Sequence, residues 1–318
     1  MIGKNIRSGI GFQVSLLFSL AALLSFLSEY FLTFGNLCSI MSAAAPIGIL
    51  AIGATFVIGA RGIDLSVGSL MALCAVGAVS FFAGDVEGTT IWGMLFTCVL
   101  MGGACGACSG SLIQVLNLPP FVVTLAMMSI ARGLALIVSD GRALYGLPPA
   151  LVFLGQGTFM GIPIPAYIFI AVAIGSHAIL RRTRFGIRVM MLGDNPTAVR
   201  LCGISMFKTT VLLYTASGIF AAIAAVVTMG RINAADPNMG TMYELAAITA
   251  AVIGGSSLRG GVGSVVGTVL GALTVGVIQN GLTLLDISAY YQQLLLGVVL
   301  IIATLYHRTS RYDAAYNT

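Results

Sequence analysis

Few residues in this 318-residue chain are of a type that could carry chemistry. Charged residues make up 8% of it, and those set among apolar neighbours come down to Arg132 and, at the edges of apolar runs, Asp64 and Glu244. Asp64 stands in Arg61-Gly62-Ile63-Asp64-Leu65-Ser66-Val67-Gly68-Ser69, between two short apolar runs. A carboxyl group in such a place is costly unless it is paired or faces water. It either caps a helix beginning at Leu65, with Ser66 assisting, or contacts a passing ligand; both hold if the loop lines a vestibule. Cys105 and Cys108 form a C-x-x-C inside GGACGACSG. With no His or second Cys pair nearby, they read as small residues on a tight helix face rather than a redox or metal pair. His177 and His307 are remote from each other and from any pair of carboxylates. No catalytic constellation can be assembled, which argues against an enzyme. No G-x-x-x-x-G-K-[ST] occurs, so no ATP site is expected in this chain.

The elements that position these residues must be membrane helices. The sequence is 58% hydrophobic with a mean hydropathy of +1.04, whereas a soluble domain carries roughly 25% charged residues. Lipid therefore has to be the solvent. Forty glycines suit helices that approach backbone to backbone, and residues 1–318 read as one membrane domain. The net charge of +5 gathers at Lys4 and Arg7, at Arg181, Arg182, Arg184, Arg188, Arg200 and Lys208, and at Arg308 and Arg311. Clusters at span ends are the positive-inside signal; the aromatic interleaving of a nucleic-acid surface is missing. Apolar stretches near 12–32, 44–60, 69–83, 91–116, 120–139 and 162–180 bring the chain to the Arg181 cluster after six crossings. Those near 209–229, 245–257, 264–283 and 290–306 return it to Arg308 after four more. About ten crossings with both ends cytoplasmic are expected, and Asp85, Glu87, Asp140, Asp236, Glu244 and Asp286 fall in outer loops. The stretches near 44–60, 69–83 and 245–257 are short for a bilayer of ~30 Å, which predicts broken helices.

Two further segments stand out. In the basic stretch 181–208, Asp194 or Asn195 reads as the cap of a short helix with Pro196 first in it. This helix, through Thr197, Ala198, Val199 and Arg200, has nothing of its own to pack on. It either meets a cytoplasmic partner or rests on lipid headgroups. The run from Tyr243 and Glu244 through Gly254 and Gly255 to Gly261 is dominated by small residues, which suits tight packing or a broken helix beside a pathway. AIGATFVIGARGIDLSVGS (51–69) also echoes AITAAVIGGSSLRGGVGS (247–264), each an apolar segment, a Gly-rich break and another apolar segment. Discontinuous helices in corresponding places point to a transport route.

GIDLSVGS (62–69), GDNPTAVRLCGI (193–204) and the run from Tyr243 to Gly261 followed by GSVVGTVLGAL (263–273) resemble the permease subunits of bacterial ribose-type sugar importers of the ATP-binding-cassette class. The resemblance covers nearly the whole chain. It implies an all-α integral membrane fold of the larger, ten-span (type II-like) kind in the bacterial inner membrane. It also implies a monosaccharide cargo, a cytoplasmic ATPase that holds the Mg-ATP, a periplasmic sugar-binding protein, and a second permease copy or a paralogue. The permease itself would carry no cofactor and bind no nucleic acid. In that family the loop between the sixth and seventh spans docks into the ATPase. Here Thr197-Ala198-Val199-x-x-x-Gly203 keeps the spacing of the importers' E-A-A-x-x-x-G motif, with Thr197 in place of an acid and Val199 in place of an alanine. The resemblance thus assigns coupling to Asp194, Asn195, Thr197, Ala198, Val199, Arg200, Gly203 and Ile204. The residue context described above assigns the pathway or its structural loops to Asp64, Ser66, Gly68, Glu244, Gly254 and Gly255. The alternatives are the related branched-chain amino-acid permeases, which usually lack the GIDLS-type segment, and a stand-alone secondary transporter.

Overall fold

The computed structural model of the chain describes residues 2–82 and 90–316. Asp85 and Glu87 lie outside them, as do the side chains of Lys4, Arg7, His307, Arg308 and Arg311. Among the described residues the fold is α-helical apart from one hairpin of two-residue strands. In chain order the long helices are α1 (Ile2–Leu27), α2 (Phe34–Gly59), α4 (Thr90–Val115), α5 (Pro120–Ser139), α7 (Ile164–Arg182), α10 (Met206–Ile232) and α12 (Val265–Leu284). These seven are long and apolar enough to cross a membrane. Shorter apolar helices are α3 (Val67–Phe81), α11 (Tyr243–Ile253) and the Tyr290–Leu305 part of α13 (Ala289–Tyr316). At 1.5 Å per residue, α3 and α11 span only about 22 and 16 Å, so neither crosses ~30 Å of hydrocarbon alone.

One expected short span is not short. α2 begins at Phe34, ten residues before the apolar stretch that announced it, and is 26 residues long. Its opening turns carry Asn36, Ser39 and Ser42, which lower local hydropathy. The Asn36 and Asn280 amides bond each other both ways at 3.0 and 2.8 Å, and Ser39 donates to the Gly35 carbonyl of its own helix. Three small elements carried no readable hydropathy signal: α6 (Pro149–Gln156), the antiparallel pair β1 (Thr158–Phe159) and β2 (Ile162–Pro163), and α8 (Arg184–Asp194). α8 is followed directly by α9 (Pro196–Leu201).

α2 is buried without a break from Ala44 to Gly59, as expected of a helix apolar on every side. α10 packs along α4 through a seam of small residues. A Cβ on Gly102 or Gly106 would run into the Gly218 or Tyr214 carbonyl, and one on Gly110 would come within 2.8 Å of the Val211 backbone. The C-x-x-C belongs to this helix. Cys105 is half-buried beside the seam, Cys108 is exposed, and both are free thiols. Among the described residues no group of His, Cys, Asp or Glu could hold a metal ion. α12 runs antiparallel to α2, joined at one end by Asn36–Asn280 and at the other by the Thr55–Thr268 hydroxyl pair at 2.6 Å. Residues 181–208 mark one end of the bundle, the basic end.

Candidate translocation and coupling site

α2 stops at the basic end in a left-handed cap. Arg61 has φ +63°, its N–H bonds the Ile58 carbonyl, and the Gly62 N–H bonds back to Val57 at 2.9 Å. This is the paired hydrogen-bond pattern in which glycine usually takes the left-handed place. The chain then turns back into the protein through Ile63, whose carbonyl accepts from Thr124 of α5 at 3.1 Å. Asp64, 6% exposed, sits in this break. One carboxyl oxygen accepts from the Ser66 N–H at 3.0 Å and the Ser66 hydroxyl at 2.6 Å, and the other accepts from the Ser217 hydroxyl of α10 at 2.7 Å. The capping expectation therefore needs correcting. α3 starts at Val67 rather than Leu65, Ser66 occupies its cap position, and the Ser66 side chain makes no capping bond. Its hydroxyl is turned to Asp64, which braces the turn before the helix and ties it to α10.

Ser217 is eleven residues into the 27-residue α10, so Asp64 lies about 16 Å up that helix, close to its middle. α3 runs from there away from the basic end. The connection after α10 doubles back from Asn233, and α11 starts beside the first turn of α3: a Cβ on Gly68 would overlap the Gly240 carbonyl and the Glu244 carboxyl. α11 then descends toward the basic end. Two half-length helices thus meet N-terminus to N-terminus about half-way along α10, with the half-buried Glu244 between them. A carboxyl group suits this place, because both helix starts present unsatisfied N–H groups. Arg132 of α5 holds the returning segment, donating to the Pro237 carbonyl and to the Met239 carbonyl at 3.1 Å.

α11 ends as α2 does. The Gly255 N–H bonds Val252, the Ser256 N–H bonds Ala251, and Gly255 takes the left-handed place at φ +89°. Gln13 of α1, 4% exposed, donates to the Ile253 carbonyl at the end of α11 at 3.1 Å. Gly254 is pressed against α12, where a Cβ would come within 2.5 Å of the Thr268 nitrogen. The two echoed segments therefore share a mode of termination, and their breaks touch: the Gly261 N–H donates to the Gly59 carbonyl at 2.9 Å. α8 closes the group. It lies on the end of α2 through stacked Phe56 and Phe185 rings, 6.4 Å apart, and a Cβ on Gly193 would overlap the Gly59 carbonyl.

α9 matches its expected form. Asn195, rather than Asp194, is the cap; its side chain accepts from the Ala198 N–H at 3.0 Å, and Pro196 is the first helical residue. Val199 is buried and holds α9 to the bundle, with Ala198 and Ile204 half-covered. Asp194, Thr197, Arg200 and Gly203 are exposed at the basic end, with Leu201 84% exposed beside them. Gly203 has φ +69° and nothing within 4 Å of its missing side chain, so its backbone rather than crowding asks for glycine. The predicted residues thus fall into two places: Asp64, Ser66, Gly68 and Glu244 around the meeting helix starts, and Asp194–Ile204 with Gly254 and Gly255 toward the basic end. Ser217 and Gln13 lie outside every motif of the sequence, and Arg61, Gly193 and Gly261 lie inside motifs without a role assigned to them, although each contacts a predicted residue or a break. Only the positive charge of Arg61 beside a Gly-rich break offered a signal.

Residues 36–304 match the family described as branched-chain amino acid transport system / permease component. The chain is similar to the ribose import permease of Escherichia coli (strain K12), 36% identical over 296 residues that cover 90% of this chain and 89% of the relative. It is 37% identical to the ribose import permease of Bacillus subtilis (strain 168), over 92% of this chain and 90% of that one. It is 34% identical to the D-allose transport system permease of Escherichia coli (strain K12), over 86% and 84%. No solved structure matches. With a family match over most of its length and relatives aligned end to end, the chain belongs to the branched-chain amino acid transport system / permease component family.

Proposed function

We propose that this chain is the membrane subunit of an ATP-driven importer for a monosaccharide in the bacterial inner membrane. The observation that carries the cargo is the 34–37% identity, over nearly the full length, to permeases for ribose and allose. The basic end faces the cytoplasm in this reading, as the positive-inside rule requires, and both chain termini lie on that side. The exposed surface of α9 receives an ATPase subunit that holds Mg-ATP. A sugar-binding protein delivers cargo at the opposite end, and a second permease copy or a paralogue completes the route. Small residues and few charges along the helices suit a weakly held neutral cargo, since a tight site slows release.

The test is uptake by proteoliposomes containing the permease, the ATPase and the binding protein. Labelled ribose or allose should accumulate with ATP inside, and an ATPase-dead partner should abolish it. Uptake that survives a dead ATPase would identify a stand-alone carrier instead, and accumulation of leucine but no sugar would identify the amino-acid branch.

A further inference from the structure

Both halves of the internal echo end their first helix in the same left-handed cap, but with different residues in the strained place. In the second half it is Gly255, φ +89°; in the first it is Arg61, φ +63°. A side chain is rarely held in that conformation when glycine would relieve it, and such positions cluster at ligand clamps and switches. The Arg61 side chain has a defined task. Its Nε–H donates to the Arg259 carbonyl in the second break at 2.6 Å, and Nη2 donates to the Asp194 carbonyl at the end of α8 at 3.1 Å. Its stem fills the space against Gly260, where a Cβ would overlap it. The fork of guanidinium donors satisfies two carbonyls at once from one rigid plane.

Three segments meet here: the Gly59 and Gly193 backbones are in contact, the Gly261 N–H bonds the Gly59 carbonyl, and Arg61 supplies the side-chain bonds that join all three. A cavity of about 150 Å³ opens beside Arg61, lined by Leu192 and Pro196 from α8 and α9 on one side and by Tyr214 of α10 on another. The buried Tyr214 hydroxyl has no hydrogen-bond partner among the described residues. The cavity leaves open space between the start of α9, the Arg61 turn and α10.

We propose that Arg61 is a positioning residue that clasps the α8–α9 segment to both helix breaks, so that displacement of α9 moves Gly59–Ser66 and Ser257–Gly261 together. The inference rests on the assignment of α9 as the ATPase-facing element. The clasp passes that displacement to the break that holds Asp64 and to the end of α11, and the cavity supplies the room in which α9 shifts.

The experiment compares wild type, Arg61→Gly and Arg61→Lys in proteoliposomes that hold the complete complex, measuring sugar moved per ATP hydrolysed. Arg61→Gly suits the left-handed backbone and should assemble normally. It should hydrolyse ATP within twofold of wild type but move at least tenfold less sugar per ATP. Arg61→Lys retains a donor that reaches one carbonyl at a time and should recover at least a third of the lost coupling. Sugar per ATP within twofold of wild type in Arg61→Gly would overturn the proposal. So would loss of assembly or of ATP hydrolysis in that variant, which would make the residue a structural support, and so would a Lys variant no better than Gly. If wild type itself moves no sugar with ATP, the importer assignment fails instead, and the two failures are told apart by that control.

Discussion

The bracing role of Asp64 makes a graded prediction. Asp64→Ala removes the acceptor of three buried donors at once: the Ser66 N–H, the Ser66 hydroxyl and the Ser217 hydroxyl. A buried donor left unsatisfied costs about 1–3 kcal/mol. The two serine hydroxyls can turn back to carbonyls of their own chain, so part of the loss is recovered. The Ser66 N–H has no such freedom. The sum is about 3–5 kcal/mol, a large share of the 5–15 kcal/mol that typically separates folded from unfolded states. Asp64→Asn keeps one oxygen toward Ser66 and turns an NH2 toward Ser217, whose hydroxyl can accept as well as donate. Its cost should be about 1 kcal/mol. The assay is the folded fraction of detergent-extracted protein after graded heating, followed by size exclusion, for both variants and for Ser217→Ala. Asn should lie close to wild type, Ser217→Ala between, and Ala far below. The double variant Asp64→Ala/Ser217→Ala should cost clearly less than the two singles added, because they share one bond. Equal losses for Ala and Asn, or additive singles, would refute the bracing account.

Gly106→Val should abolish folded protein, because its side chain has only the Tyr214 backbone to enter, while Gly133→Ala, with nothing within 4 Å, should gain up to about 1 kcal/mol of helix stability in the same heating assay. Arg132→Gln should release the segment doubling back through Pro237 and Met239, seen as faster labelling of a cysteine placed at Asn238, with little change in folded yield. Leu201→Ser should leave stability within about 0.5 kcal/mol, as befits a site 84% exposed, yet lower co-purification of the ATPase by about tenfold if α9 is its seat.

Much of the architecture was legible where a residue's partner lies within a helical turn or its role follows from solvent. Asn195 and Pro196 announce α9 because capping is local, and the lipid-facing helices announce themselves by hydropathy. The break after α2 was visible in Arg61–Gly62, and the echo between residues 51–69 and 247–264 foretold that both segments would be interrupted. What stayed hidden depends on distant partners. Ser217 is one of several small hydroxyl residues in α10, and only the fold selects it for Asp64. The start of α2 was hidden for a related reason: Asn36 looks unsuited to a membrane helix until Asn280 arrives beside it. Asp64 reads as a cap because an Asp directly before an apolar run fits the pattern, whereas the helix starts only at Val67 and the second carboxyl oxygen answers to another helix.

The separation of these partners along the chain bears on how the protein is made. Asp64 finds Ser217 only 153 residues later, and Arg61 finds Arg259 198 residues later. At a ribosomal speed of about 5–20 residues per second, roughly 8–40 s pass before these partners emerge, and until then Asp64 has only the neighbouring Ser66 to donate to it. α3, too short to span by itself, is exposed to lipid for much of that time. Insertion factors or quality-control proteases that recognise unpaired polar groups in the bilayer have their window during this interval, and it closes when residues 257–261 emerge and the two breaks join.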